Sequence, residues 1–201
     1  IVNRALSGPS LLTVNNSTIS TNAGRAGGGI SNFCTAAGLN ATVSVVNSTI
    51  SGNTAVVSGG GISNSAASSG AATLIITNST IARNLGTVRG GGIGNEQFLG
   101  GSAMASLRST IIADNTSPTG PDVNNTGTLG GSYNLVETTT GYAFGSGANN
   151  IFGVDPLLGV RMRLVSIGAG KWQNTGGAKA KFGLSPGQLT ELLDDLDAAG
   201  L

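Results

Sequence analysis

The chain has 201 residues, of which 34 are glycine and only 19 are charged, and it contains no histidine. Ordinary domains carry about 7% glycine and about 25% charge, so glycine is doubled and charge more than halved. That mixture excludes a helical bundle, which wants Ala, Leu, Glu and Lys, and a charged disordered segment. Ten cations spread over the chain make no basic stripe for nucleic acid.

From its first residues the chain repeats itself. Asn16-Ser17-Thr18-Ile19-Ser20-Thr21-Asn22 recurs as Asn47–Asn53 and Asn78–Asn84 at a constant step of 31, and Ser109–Asn115 is a weaker fourth copy. Ile19, Ile50, Ile81 and Ile112 therefore form one column, and Asn22, Asn53, Asn84 and Asn115 another. Upstream, Val14, Val45, Ile76 and Leu107 align, as do Leu12, Val43, Leu74 and Ala105. A second motif follows in each unit: Gly27-Gly28-Gly29-Ile30-Ser31-Asn32, Gly59–Asn64 and Gly90–Asn95, spaced 32 and 31. One inserted residue is expected in the loop before Gly59. Ile1-Val2-Asn3 matches the tail of this motif, so the chain opens in mid-coil.

Within each unit the apolar residues alternate with polar ones, the period of a half-buried strand. Gly and Asn punctuate the runs and supply positive-φ corners. A unit of this size suits one solenoid turn of short strands, each pairing with its equivalent one coil on. The predicted fold is an all-β solenoid, a right-handed single-stranded parallel β-helix with 31-residue coils, about five of them over residues 1–159. Handedness follows from the chirality of parallel crossovers. Stacked isoleucines make the core. Asn22, Asn53, Asn84, Asn115, Asn32, Asn64 and Asn95 are expected to form amide ladders that satisfy bent backbone.

Residues 47–55 (NSTISGNTA) followed by 59–64 (GGGISN) resemble the repeats of bacterial surface β-helices, of the polymorphic outer-membrane-protein and choice-of-anchor types. Residues 120–123, 132–136 and 150–159 look like closing coils of the latter. The resemblance covers about residues 1–159 and implies a secreted or cell-surface scaffold. After Gly159 the usual Asn-Gly-Gly and Pro-Gly-Ser-Pro-Ala continuation is missing.

Residues 160–201 are a separate tail. They hold nine of the 19 charges, all three lysines and Trp172. Residues 166–181 read as linker. Ser185, Pro186 and Gln188 then signal a helix over about 186–199, with Leu189, Leu192, Leu193 and Leu196 on one face. It is expected to cap the last coil or clasp a neighbour. Asp195 and Asp197 are spaced as in a calcium loop, but later ligands are lacking.

Chemistry leaves few traces. The acids of the repeat region are Glu96, Asp114, Asp122, Glu137 and Asp155. No two share a column 31 apart, so no catalytic pair is predicted. Thr18, Thr49 and Thr80 align as an ice-binding face would, but Ile111 breaks the row. The acceptor sequences at Asn16, Asn47 and Asn78 are read as structural ladder residues, and the glycine triplets lack the Lys-Ser/Thr of a phosphate loop. The single cysteine, Cys34, is read as a small buried residue. No run of about 20 apolar residues exists to span a membrane. The expectations are a non-enzymatic extracellular structural or adhesive protein, without cofactor or metal. Its expected partners are further coils of a longer parent, end-to-end copies in a fibre, or a surface glycan. The alternative is a carbohydrate-binding or polysaccharide-degrading module.

Overall fold

The computed structural model describes residues 1–142 and 144–158, with two short strands beyond them. The chain divides into two compact units, Ile1–Leu158 and Gly159–Leu201.

The first unit is a right-handed parallel β-solenoid. Its first coil holds β1 (Val2–Ala5), β2 (Ser10–Asn15), β3 (Thr18–Ser20) and β4 (Ala23–Ala26). The second repeats the order with β5 (Ile30–Cys34), β6 (Asn40–Val46), β7 (Thr49–Ser51) and β8 (Thr54–Ser58). The third has β9 (Ile62–Ala66), β10 (Ala71–Thr77), β11 (Thr80–Ala82) and β12 (Leu85–Gly86). Later coils carry β13 (Ile93–Gln97), β14 (Ser102–Arg108), β15 (Ile111–Ala113), β16 (Val123–Asn125), β17 (Thr128–Ser132), β18 (Leu135–Val136) and β19 (Ile151–Phe152). Equivalent strands stack into four parallel sheets. The first is β1-β5-β9-β13-β16, the second β2-β6-β10-β14-β17, the third β3-β7-β11-β15-β18-β19, and the fourth β4-β8-β12.

Register explains the core. Ile19 lies opposite Ile50, Ile50 opposite Ile81, and Ile81 opposite Ile112, always one repeat on. Ile30, Ile62 and Ile93 stack likewise on the first sheet. These side chains form one cluster with Val43, Val45, Leu74, Ile76 and Leu107, nearly all fully buried. Fully burying such a side chain contributes about 1.5–3 kcal/mol.

The coils then shorten. Ile112 pairs with Val136 and Val136 with Phe152, so the step falls to 24 and then to 16. The solenoid tapers, and the core at this end is covered by Tyr142 and Phe144. Their rings meet edge to face at 5.6 Å, and Phe152 lies 5.2 Å from Phe144.

Three corners of the first coil adopt left-handed backbone, and from the second coil on a fourth joins them, at Gly38, at Ser68 and Ser69, and at Leu99 and Gly100. Asn16, Asn47 and Asn78 hold φ of 48–49°, which Asn tolerates better than most residues. These acceptor-sequence asparagines are therefore corner residues rather than ladder members. The second corner is Thr21, Gly52, Arg83 and Asp114, and the third Gly27, Gly59, Gly90 and Gly120. In the glycine triplets the first residue makes this turn, and the second lets coils touch: a Cβ on Gly28 would lie 2.4 Å from the carbonyl oxygen of Gly60.

Two expectations are corrected. The inserted residue before Gly59 is not in a loop. It forms a β-bulge in β8, where the pairing with β4 slips between Ala55 and Ser58. A strand can hold one extra residue by bending locally, and the shorter turn before β10 restores the regular step. The stretch read as linker, 166–181, holds a strand in the second unit, β21 (Trp172–Asn174), which pairs antiparallel with β20 (Leu164–Ser166), Val165 opposite Gln173. The predicted helix and Leu189, Leu192, Leu193 and Leu196 lie outside the described residues.

Candidate functional site

Two amide ladders run through the solenoid. Asn22 Nδ2 donates to Asn53 Oδ1 at 2.9 Å, Asn53 to Asn84 at 3.0 Å, and Asn84 to Asn115 at 3.0 Å. The second joins Asn32 to Asn64 and Asn64 to Asn95, both at 2.7 Å. It extends beyond the predicted members, to Asn3 at one end and Asn125 at the other. Ladder amides also donate to backbone, as Asn64 does to the Ala72 and Met104 carbonyls. Buried polar groups left by the bends are thus satisfied.

The first ladder ends on a charge. Asn115 Nδ2 donates to Oδ1 of the fully buried Asp122 at 2.9 Å, and the Thr138 N–H donates to Oδ2 at 2.6 Å. Burial pushes the Asp122 carboxyl above its usual range, opposed by the Asn115 and Thr138 hydrogen bonds, while the Glu137 charge raises it further. The nearby Tyr142 phenol is pushed up to about 12, by burial first and then by the Asp122 charge.

The taper also collects acids. Carboxylate oxygens of Asp114, Glu137 and Asp155 lie within 4.8 Å of one another. Column arithmetic at a fixed step missed this cluster, because the last coils are shorter than the repeat. The expectation that no carboxylates converge is therefore corrected. Three oxygens at this spacing suit a hard divalent cation. Here Arg83 pairs with Asp114 at 3.7 Å, the Asp114 N–H donates to Glu137 Oε2, and the Leu157 N–H donates to Asp155 Oδ1. These internal contacts already account for much of the cluster.

A concavity lies elsewhere. The glycine-triplet corners fold β4 and β8 sharply against the outer face of the first sheet, leaving a cleft of about 580 Å³. Arg4, Phe33, Ser65 and Glu96 lie in one outward column, on β1, β5, β9 and β13. Arg25 and Ser58 belong to the opposite wall, and Arg89 and Phe98 complete the lining. Glu96, 3% exposed, ties the walls together. It accepts from Ser58 Oγ at 2.9 Å and Asn124 Nδ2 at 3.0 Å, and it pairs with Arg89. The Arg4 guanidinium sits over the Phe33 ring at 5.6 Å.

None of these cleft residues was singled out from sequence as a site. The column advances by unequal steps, as the asparagines beside it do, the first set by a shorter turn before β2 and the second by the β8 bulge, so a fixed period hides it. The detectable signal was an Arg, Phe or Glu one residue after three of the ladder asparagines, Arg4 after Asn3, Phe33 after Asn32 and Glu96 after Asn95, with Ser65 after Asn64 between them.

Fold and cleft together define a parallel β-solenoid with a walled groove on one face. No family model matches the chain, and no solved structure matches it. A partial similarity does exist, to enzymes. Biosynthetic arginine decarboxylase of Alkalilimnicola ehrlichii is 62% identical over 48 residues, 24% of this chain and 8% of the enzyme. That of Marinobacter nauticus is 58% identical over 48 residues, again 24% and 8%. That of Xanthomonas axonopodis pv. citri is 74% identical over 39 residues, 19% and 6%. The chain therefore spans well under a tenth of the length of these curated relatives. The expectation that the chain is not an enzyme is overturned by this similarity. Reasoning from repeat columns could not detect it, because it weighed only how the coils place charged groups.

Proposed function

We propose that the solenoid is the adhesive scaffold of a secreted or surface protein, gripping a polymeric ligand in the cleft on its first sheet. One observation carries this reading: a groove with polar walls is built onto the outside of a laddered, hydrogen-bonded stack, fixed by the Glu96 hydrogen bonds. Ligand sites are concave and hold a few well-placed polar groups. The resemblance of residues 1–159 to surface β-helices supports the location. The test is binding of the purified chain to immobilised extracellular polysaccharides, neutral and acidic. Retention by at least one, lost when Ser65→Trp fills the groove, is the expected result. Retention by none removes the reading.

The decarboxylase similarity supports a second reading. Its matched stretches are 39 to 48 residues long in these three enzymes. In this reading the matched stretch is a piece shared with arginine decarboxylases and brings their chemistry to the chain. Release of carbon dioxide from carboxyl-labelled arginine, above that of the heat-treated protein, would establish it. A baseline trace would remove it.

A further inference from the structure

We infer that the cleft takes an acidic polysaccharide, with Arg4 and Arg25 meeting its sugar carboxylates and Phe98 supporting its ring faces. The inference rests on the adhesive reading and names its ligand class.

Charge points to an anion. Arg4, Arg25 and Arg89 converge on the cleft against a single acid, Glu96. Arg89 is neutralised by Glu96. Arg4 and Arg25, both exposed, pair with no carboxylate among the described residues. Two guanidinium groups are thus left to face the opening. A guanidinium is planar and binds carboxylate in a fork, and Phe33 beneath Arg4 holds that plane in place.

Shape points to an extended chain. The cleft crosses the adjacent rungs β1, β5, β9 and β13, and four rungs at strand spacing span about 14 Å. Its floor is the sheet face, where the half-buried Ser31 adds a hydroxyl group and the buried Ser63 and Ser65 hydroxyls bond to each other at 3.2 Å. Phe98, 43% exposed, and Val2, 74% exposed, offer apolar surface at the rim. Hydroxyls beside an apolar platform and a carboxylate receptor suit the alternating polar edge and apolar face of a uronic acid ring.

Other polyanions fit less well. A peptide gains most by adding a strand to an open sheet edge, whereas β5, β9 and β13, three of the four rungs under the cleft, are each paired on both sides. Nucleic acid needs a dense cationic field. In residues 1–158 five arginines (4, 25, 83, 89 and 108) are matched by five acids (96, 114, 122, 137 and 155).

The experiment measures binding of the full chain to polygalacturonate, to the same polymer methyl-esterified, to a neutral glucan and to poly-glutamate. Polygalacturonate is expected to bind at least tenfold more tightly than its ester, and more weakly as salt rises. Arg4→Gln and Arg25→Gln should each weaken it about tenfold, with unchanged thermal unfolding, since both side chains are exposed. Equal binding of acid and ester overturns the inference but leaves an adhesive cleft. So does binding of the glucan alone. Equal binding of poly-glutamate overturns the glycan assignment. Binding of none of the four overturns the inference, and failure across the wider polysaccharide panel removes the adhesive reading with it.

Discussion

The first three coils and the tapered end solve the same problem differently. In the first, equal coils put identical residues in register, so isoleucine meets isoleucine and asparagine meets asparagine at every step. Near the end the step drops from 31 to 24 and then to 16. Columns of identity are replaced there by contacts between unlike groups: a carboxylate ends the amide ladder, aromatic rings cover the isoleucine stack, and three acids gather where the repeat would have kept them apart. Repetition secures stability through register. Its interruption creates the chemically uneven surfaces.

The sharpest break of this comparison lies at Gly131. Its φ is 143°, and a Cβ there would fall 1.8 Å from the Leu107 carbonyl oxygen. Gly131→Ala should prevent the first shortened coil from seating on its neighbour, seen as loss of cooperative unfolding in circular dichroism. Next comes the stack itself. Ile81→Ala removes a fully buried side chain between two identical neighbours and should cost about 2–5 kcal/mol in denaturant titration. Phe152→Ala at the taper, where the ring is 42% exposed, should cost clearly less. A reversed order would mean that the taper, not the stack, holds the fold.

Asn64→Ala is expected to cost a comparable amount through a different cause. It removes the donor to Asn95, Ala72 and Met104 and the acceptor of Asn32. Each buried group left without a partner costs about 1–3 kcal/mol. The exposed rung Asn22 should lose under about 1 kcal/mol on the same change.

The smallest effect is a slope. Because burial raises the Asp122 pKa above 3.8 in the folded state, the unfolded chain gives up that proton first. Stability from this group therefore falls as pH rises from 3.8 through the folded value. Asp122→Asn should abolish that part of the decline when its melting temperature is followed against pH beside the wild type. Parallel profiles would show that Asp122 does not carry it.

How much was legible follows from the same contrast. Glycine triplets, β-branched alternation and a constant step are local signals, so the sheets, the core columns and seven ladder asparagines could be read from Ile19, Asn22, Asn64 and their equivalents. Asn3 and Asn125 escaped because their steps to the next asparagine are 29 and 30. The acid cluster and the arginine cleft escaped for the same reason, the first being assembled by the shortened coils and the second by the short turn before β2 and the β8 bulge.

By itself, then, the sequence determined a parallel β-solenoid, because identical residues at a fixed step favour only a register that stacks like on like. Only the tertiary structure decided where that stack ends and where its walls bend. Those features depend on how unequal loops are absorbed between paired strands, and loop length constrains neighbours in space rather than neighbours in the chain. Arg4, Arg25 and Glu96 become one groove, and Asp114, Glu137 and Asp155 one cluster, at that level alone.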